Sequence, residues 1–318
     1  MMNSTKTGII SILISFILIQ LGCTPPRSIT QSGKVTPHKN FKVGIDLSAN
    51  IPTHFVQSLY RNTEGIVNPL MKKDTVILNE KLLKLNETAL AYAVEPLGFG
   101  YNYYIRYGVY KRFDLGYKYA SGTHTIDGMY QFLGSTGTID NPGEKGNHGS
   151  IGIQYSSKKY ELPKWSGLNK VQNLIGFKMQ RKDFLIPIVF SIPFGEEESL
   201  GNFSFGLVYS HTFLKYGFEN ENIYDTTYTQ APTNIQSIHD KKNYASFGAF
   251  FNFKIGYKYA YFLPAFALYY QDYGSFMLLD QSMIRFKGLT FVPSIGLQIN
   301  PSQIASSIKK KKPNSKKN

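Results

Sequence analysis

Residues 105–119 read IRYGVYKRFDLGYKY. Ile105, Tyr107 and Val109 alternate with Arg106 and Gly108; past the turn, Phe113, Leu115, Tyr117 and Tyr119 alternate with Asp114, Gly116 and Lys118. Successive side chains of a β-strand point to opposite faces, so this beat of two describes strands with one apolar and one polar face. The apolar residues are odd-numbered on both sides of Tyr110–Arg112. An antiparallel hairpin keeps one apolar face continuous there only across an odd number of turn residues, and three satisfies this. Upstream, Tyr101 and Tyr103 against Asn102 lengthen the first strand.

The pattern recurs outward from this hairpin. Residues 41–51 set Phe41, Val43, Ile45, Leu47, Ala49 and Ile51 against Lys42, Gly44, Asp46, Ser48 and Asn50. Further faces are Phe184 to Phe194 on even positions, Phe203 to Tyr209 on odd positions, Phe247 to Tyr257, and Phe291 to Ile299. Weaker alternation covers 127–134, 150–157 and 260–272. In the last of these Phe262, Phe266, Leu268 and Tyr270 fall where polar residues are expected, so both faces read as apolar. The sum is about ten strands, within roughly eight to twelve.

Composition agrees with alternation. The 318 residues include 23 Tyr and 23 Phe, yet the mean hydropathy is −0.22. The single cysteine, Cys23, excludes an internal disulfide, a CxxC redox pair and a cysteine zinc cluster. Of the net charge of +14, Lys6 supplies one and the lysines at 309, 310, 311, 312, 316 and 317 supply six, which leaves +7 for residues 23–308. So mild a balance without a basic face argues against a nucleic-acid partner.

The ends differ from the body. Lys6 followed by the apolar run from Gly8 to Leu21 reads as an export signal over residues 1–22, too short to span a bilayer comfortably as a helix. Its end, Leu21-Gly22-Cys23, resembles a bacterial lipobox, which implies acylation of Cys23. Residues 23–40, rich in Pro, Ser and Thr without an apolar period, are expected to be a flexible tether. Residues 41–300 form the folded body, and 301–318 a Lys-rich disordered tail.

Alternation alone permits a soluble sandwich or a lipocalin-like barrel. Strands near eleven residues are about what a tilted strand needs to cross a bilayer, roughly 9–11. Aromatics such as Tyr101, Tyr103, Tyr257, Tyr261 and Tyr269 crowd the strand ends, where interfacial girdles lie. Short turns near residues 110–112, 195–202 and 258–259 fall on one side, and the long connections after residues 52, 158, 217 and 274 on the other; 135–149 is a long segment on the short side. In these features the chain resembles the small outer-membrane β-barrel proteins of Gram-negative bacteria. The resemblance implies an all-β, antiparallel up-and-down transmembrane barrel embedded in outer-membrane lipid, with both ends periplasmic.

Inward positions carry the polar chemistry. Lys42, Asp46, Arg106, Asp114, Lys118 and Lys254 are expected to face the lumen and to pair with one another, because so narrow a barrel is filled by its own side chains. No catalytic or metal-binding group is expected. His211 shares a face with Tyr209 on the apolar side; His148 and Ser150 follow a loop too flexible for catalysis; His124 with Asp127, and His239 with Asp240, lack identifiable partners; and Glu196, Glu197 and Glu198 read as a solvated turn. No GxGxxG, GxxxxGK[ST], HExxH or GxSxG sequence occurs, so neither a cofactor nor an enzyme is expected. The expected function is structural, surface-interacting or narrowly transporting. The rivals are a soluble periplasmic β-rich lipoprotein that binds an apolar ligand, and an outer-membrane hydrolase. The lysine tail is expected to meet anionic cell-wall polymer.

Overall fold

A computed structural model describes residues 24–62, 76–77, 79–161, 176–219, 223–225, 233–234 and 236–310. Residues 1–23 and 311–318 lie outside these, so the signal segment, Cys23 and the end of the tail are not described. The strands are β1 (Phe41–Pro52), β2 (Val76–Ile77), β3 (Gly98–Tyr110), β4 (Phe113–Ala120), β5 (Thr123–Leu133), β6 (His148–Glu161), β7 (Lys178–Phe194), β8 (Gly201–Phe218), β9 (Ile223–Asp225), β10 (Thr233–Asn234), β11 (Ile238–Tyr257), β12 (Ala260–Met277) and β13 (Met283–Ile299). Here β2, β9 and β10 make a small separate sheet. The other ten close a barrel in which each pairs with the next in sequence and β13 returns to β1. All barrel pairs are antiparallel.

The hairpin at 105–119 shows how parity is kept. Ile105 pairs with Tyr117 and Tyr107 with Leu115, and the register shifts between Gly108 and Tyr110. A two-residue turn plus one bulged residue thus does the work of the three-residue turn that the parity requires. Elsewhere the odd-and-even pattern maps onto outside and inside. Phe247, Phe251 and Ile295 are 63%, 44% and 52% exposed, and Phe291 is half-buried between neighbours on the same outer face. Exposed Ile45, Leu47, Tyr103, Ile105, Ile126, Ile153, Ile188 and Leu207 carry the apolar surface around the barrel.

Connections at 111–112, 134–147, 195–200 and 258–259 define a turn end. The connections at 53–97, 121–122, 162–177, 219–237 and 278–282 define the opposite, loop end. The segment from residue 52 to 97, which gave no strand pattern, folds at its two ends as helices α1 (Thr53–Asn62) and α2 (Glu80–Val94). The Asn79 side chain caps α2 by accepting from the Leu82 amide at 3.0 Å. Leu82, Asn86, Leu90, Ala93 and Val94 recur at three- and four-residue spacing as its buried stripe. Leu82, Leu90, Ala93 and Val94 pack into an apolar cluster with Met179, Leu214, Tyr216, Tyr244, Tyr273 and Phe286 from the extended strands, which closes the loop end of the barrel.

The expected tether at 23–40 is the main correction. Thr24 to Thr36 is buried apart from half-exposed Gln31, and it runs through the lumen from the loop end to the turn end. At one end Thr24 sits against Gly100, beside Ser121 of the tight Ser121–Gly122 turn; at the other, Lys34 reaches Glu197. The chain then reverses at Pro37–Asn40, where Lys39 takes a φ of 62° and donates to the Gly108 carbonyl at 2.9 Å, and starts β1. A segment with no backbone ladder can be buried only if other groups satisfy its amides and carbonyls. The barrel wall supplies them. Gln154 donates to the Pro26 carbonyl (2.9 Å), Tyr269 to that of Arg27 (2.8 Å), and Asn252 to those of Ile29 (3.3 Å) and Gln31 (3.1 Å). The amides of Gly33, Val35 and Thr36 donate to Ser191, Gln131 and Asp114. Gly33 is required at its place, because a Cβ would lie 2.6 Å from the His148 carbonyl oxygen.

This internal strap explains why residues 260–272 are apolar on both faces. Phe262 and Tyr270 are exposed on the outside, whereas Leu263, Ala267 and Tyr269 face inward. Ile29 and Val35 of the strap pack there with Leu185, Val189, Val208, Phe250 and Val292. Tyr261 and Tyr269 are therefore lumen residues and not girdle residues. At the far end, α3 (Pro301–Lys310) follows β13, so the expected disordered tail begins as a helix.

Candidate functional site

The filled lumen gathers the polar chemistry of the chain into three charge nodes. Nearest the loop end, Arg27 of the strap meets Glu95 at 3.1 Å; Arg181 of β7 reaches Glu95 at 3.5 Å and Asp183 at 2.9 Å. Arg181 also donates to the Val94 carbonyl at 2.7 Å, and Asn50 to Glu95 at 2.8 Å. Two guanidinium groups thus face two carboxylates, tying strap, helical cap and wall together. The His54 ring of α1 packs tilted against that of Tyr273, with centroids 4.6 Å apart, above this node. Burial pulls its imidazole below the ordinary histidine range, opposed by Glu95.

At mid-lumen, Arg106 pairs with Asp114 at 2.5 Å and with Asp127. Asp46 accepts from Ser28 at 3.0 Å and from Asn102, and Lys118 donates to the Ser28 carbonyl at 3.5 Å. Lys42 lies beside them, lining a small recess with Thr30, Arg106 and Gln298.

At the turn end, Lys254 meets Glu198 at 3.1 Å and Lys34 meets Glu197. Glu197 also accepts from Ser135 at 3.0 Å and from the Gly143 amide at 2.6 Å, pulling the 134–147 connection over the mouth. Glu197 and Glu198 are therefore buried in the seal, and of the expected solvated turn only Glu196 is largely exposed. The short helical turn places Glu197 and Glu198 at positive φ, which aims their carboxyl groups inward. Burial alone would raise the Glu198 carboxyl; Lys254 and Lys34 outweigh it and hold the group below its ordinary value.

Of the residues singled out in the sequence, Asp46, Arg106, Asp114 and Lys118 are buried within the barrel, with Lys42 and Lys254 half-buried there. Arg106 and Asp114 come together directly; Lys254 pairs with a turn carboxylate and Lys118 with the strap. Arg27, Lys34, Glu95, Arg181 and Asp183 carry no such expectation, because Arg27, Lys34 and Glu95 lie in segments without strand periodicity and Arg181 and Asp183 precede the apolar alternation that starts at Phe184. The histidines separate as follows. His211 faces outward beside Tyr209 (3.1 Å), and His124 bonds Tyr117 (2.6 Å) on the outer face while Asp127 points inward. His148 and Ser150, expected just after a flexible loop, open β6 and are buried at the base of the lumen. His148 lies 3.9 Å from Glu198, whereas Ser32 and Ser191 bond Glu198 and each other and not the imidazole, so His148 and Ser150 do not form a serine–histidine pair. Among the described residues no three His, Cys, Asp or Glu side chains gather to hold a metal ion.

The geometry defines a class: a closed ten-stranded antiparallel barrel, apolar outside and charged inside, filled by its own chain. No family model and no curated protein matches the sequence. The chain is similar to several solved outer-membrane barrels. Neisserial surface protein A is 7% identical with a TM-score of 0.30, covering 81% of this chain and 96% of that one. The attachment invasion locus protein Ail of Yersinia pestis is 11% identical with a TM-score of 0.27, covering 83% and 97%. A major outer membrane protein of Thermus thermophilus is 7% identical with a TM-score of 0.32, covering 82% and 99%. At these scores the likeness carries no argument, and the architecture rests on the strand register.

Proposed function

We propose that this chain is an outer-membrane β-barrel lipoprotein with a structural or surface-interaction role, sealed against transport by its own N-terminal strap. The observation that carries this reading is the inverted arrangement: exposed Ile, Leu and Phe around the outside, and paired Arg, Lys, Asp and Glu within. A soluble barrel that binds an apolar ligand needs the reverse, and its lumen would be open. Here helices close one mouth, the 134–147 connection covers the other, and the strap fills the space between.

The strap also bears on Cys23. Thr24 lies at the loop end, beside Ser121 in the tight turn between β4 and β5. Strand β4 has 8 residues against 20 in β11, so the rim is low there. Acyl chains on Cys23 would need to cross only this low rim to enter the neighbouring leaflet, and an acyl anchor together with a barrel holds firmly. On the same reading α3, which ends on Lys309 and Lys310, stands on the periplasmic side, where each lysine adds about 1 kcal/mol of attraction to an anionic polymer or head-group surface. The test is fractionation of cells fed labelled palmitate. The full-length protein should stay in the outer membrane as a heat-modifiable band carrying label, and Cys23→Ala should lose the label while remaining embedded. Release of Cys23→Ala into the soluble fraction would overturn the barrel reading, and label surviving the substitution would overturn acylation at Cys23.

A further inference from the structure

We infer that the outer face of β6, β7, β8 and β11, near the loop end, binds a lipid head group bearing at least two phosphates; the inference rests on the membrane-embedded reading above. Cross-strand register sets Lys159, Gln180, Lys215 and Lys241 in one row over four adjacent strands. With strands about 4.8 Å apart, the row spans roughly 14 Å. Lys182 stands in the next row toward the barrel waist, and Lys178 and His239 in the next row toward the loop end. All of these lysines and His239 are exposed.

Lys215 lies directly opposite Lys241, an arrangement that destabilises a strand pair. Among the described residues no carboxylate pairs with Lys159, Lys182, Lys215 or Lys241, while Lys178 is held by Glu219 at 2.8 Å. Asp183 of β7 and Asp240 of β11 turn inward to Arg181, Thr212 and Tyr216, and Glu161 at the end of β6 is in register with Lys178. Among the described residues the row therefore has no anionic partner, and it suits anionic charge from outside the chain.

Shape narrows the class. Gly217 stands between Lys178 and His239 in its row and leaves a dent among the lysines, over which His239 leans; a Cβ on Gly217 would lie 2.5 Å from its Nδ1. Just below the lysines, Tyr155, Phe184 and Phe213 form a continuous aromatic floor, with ring centroids 5.0 Å and 6.1 Å apart. Cations above an apolar aromatic surface match an amphiphile whose phosphates lie at the dent and whose acyl chains descend along the barrel wall. A soluble polyanion would use only the upper half, which favours a lipid.

The test uses the full-length protein in phosphatidylcholine nanodiscs doped with diphosphorylated lipid A or with phosphatidylglycerol, and reads lipid retained on the released protein by native mass spectrometry. Wild-type protein should retain lipid A in preference to phosphatidylglycerol, and inorganic phosphate should not displace it. Replacing Lys215 and Lys241 together by Gln should lower retention about 30-fold, given about 1 kcal/mol for each lysine near an anionic surface. Lys287→Gln, an exposed lysine of β13 away from the row, should leave it unchanged. Equal retention by wild type and the double variant, equal retention of the two lipids, or displacement by phosphate would each overturn the site. Failure of the wild-type protein to enter the nanodisc would overturn the embedded reading and the site with it, whereas insertion without selectivity sinks the site alone.

Discussion

Arg106→Leu should cost about 3–5 kcal/mol of barrel stability, because it strands two buried carboxylates at once. Arg106 bonds Asp114 and Asp127 inside the lumen, and Asp114 also accepts the strap amide of Thr36 at 2.7 Å. Without Arg106, Asp114 would keep only the Thr36 amide and the nearby charge of Lys42, with no solvent, and the penalty exceeds what the intact pair contributes. The signature of this cause is non-additivity. Arg106→Leu combined with Asp114→Leu and Asp127→Leu removes all three charges and should recover most of the loss, even though more contacts are gone. Urea titration of the heat-modifiable band measures both. If the triple variant were as unstable as the single variant or less stable, the uncompensated-charge account would be wrong.

Phe251→Arg should destabilise the inserted barrel by roughly 2–4 kcal/mol, the cost of a charge near the middle of the lipid face. Phe251 is outward on β11, with its ring 5.7 Å from that of Phe266. The adjacent residue is the control. Asn252 points inward and donates to the Ile29 and Gln31 carbonyls, so Asn252→Ala should cost about 1–3 kcal/mol by leaving strap carbonyls unsatisfied, in bilayer and in detergent alike. The Phe251→Arg penalty should instead depend on the bilayer and shrink in detergent micelles, where an arginine reaches water easily. A Phe251→Arg barrel equally stable with wild type in bilayers would place that face in water.

These expectations separate what alternation shows from what it hides. Ile105, Tyr117, Phe251 and Ile295 are legible because a strand in a ladder forces a period of two, and the face that meets lipid must be apolar at every second position. The strap is illegible for the converse reason. TPPRSITQSGKVT forms no ladder, so nothing imposes a period on it, and its burial is decided by Gln154, Asn252 and Tyr269, which lie more than a hundred residues away. Its one visible trace is the inward Leu263, Ala267 and Tyr269, apolar where a water-filled lumen would be polar. Glu197 and Glu198 mislead in the same way, since three consecutive acids describe a solvated turn unless Lys34 and Lys254 are known to approach. Of the charge nodes, the Arg106–Asp114 pair is readable because both residues sit in one hairpin; the Arg27–Glu95 pair is not, because neither belongs to a barrel strand.

The most direct test of the sealed barrel is whether the strap can be locked to the wall. The Ser32 and Ser191 hydroxyls lie 3.2 Å apart inside the lumen, close enough for cysteines at these positions to join. In a Cys23→Ser background, the Ser32→Cys/Ser191→Cys variant should form a disulfide under mild oxidation of the protein in outer-membrane fragments, seen as loss of both thiols and a linked peptide pair by mass spectrometry. A folded, heat-modifiable barrel in which both cysteines stayed free and accessible to a membrane-impermeant alkylating reagent would contradict the account.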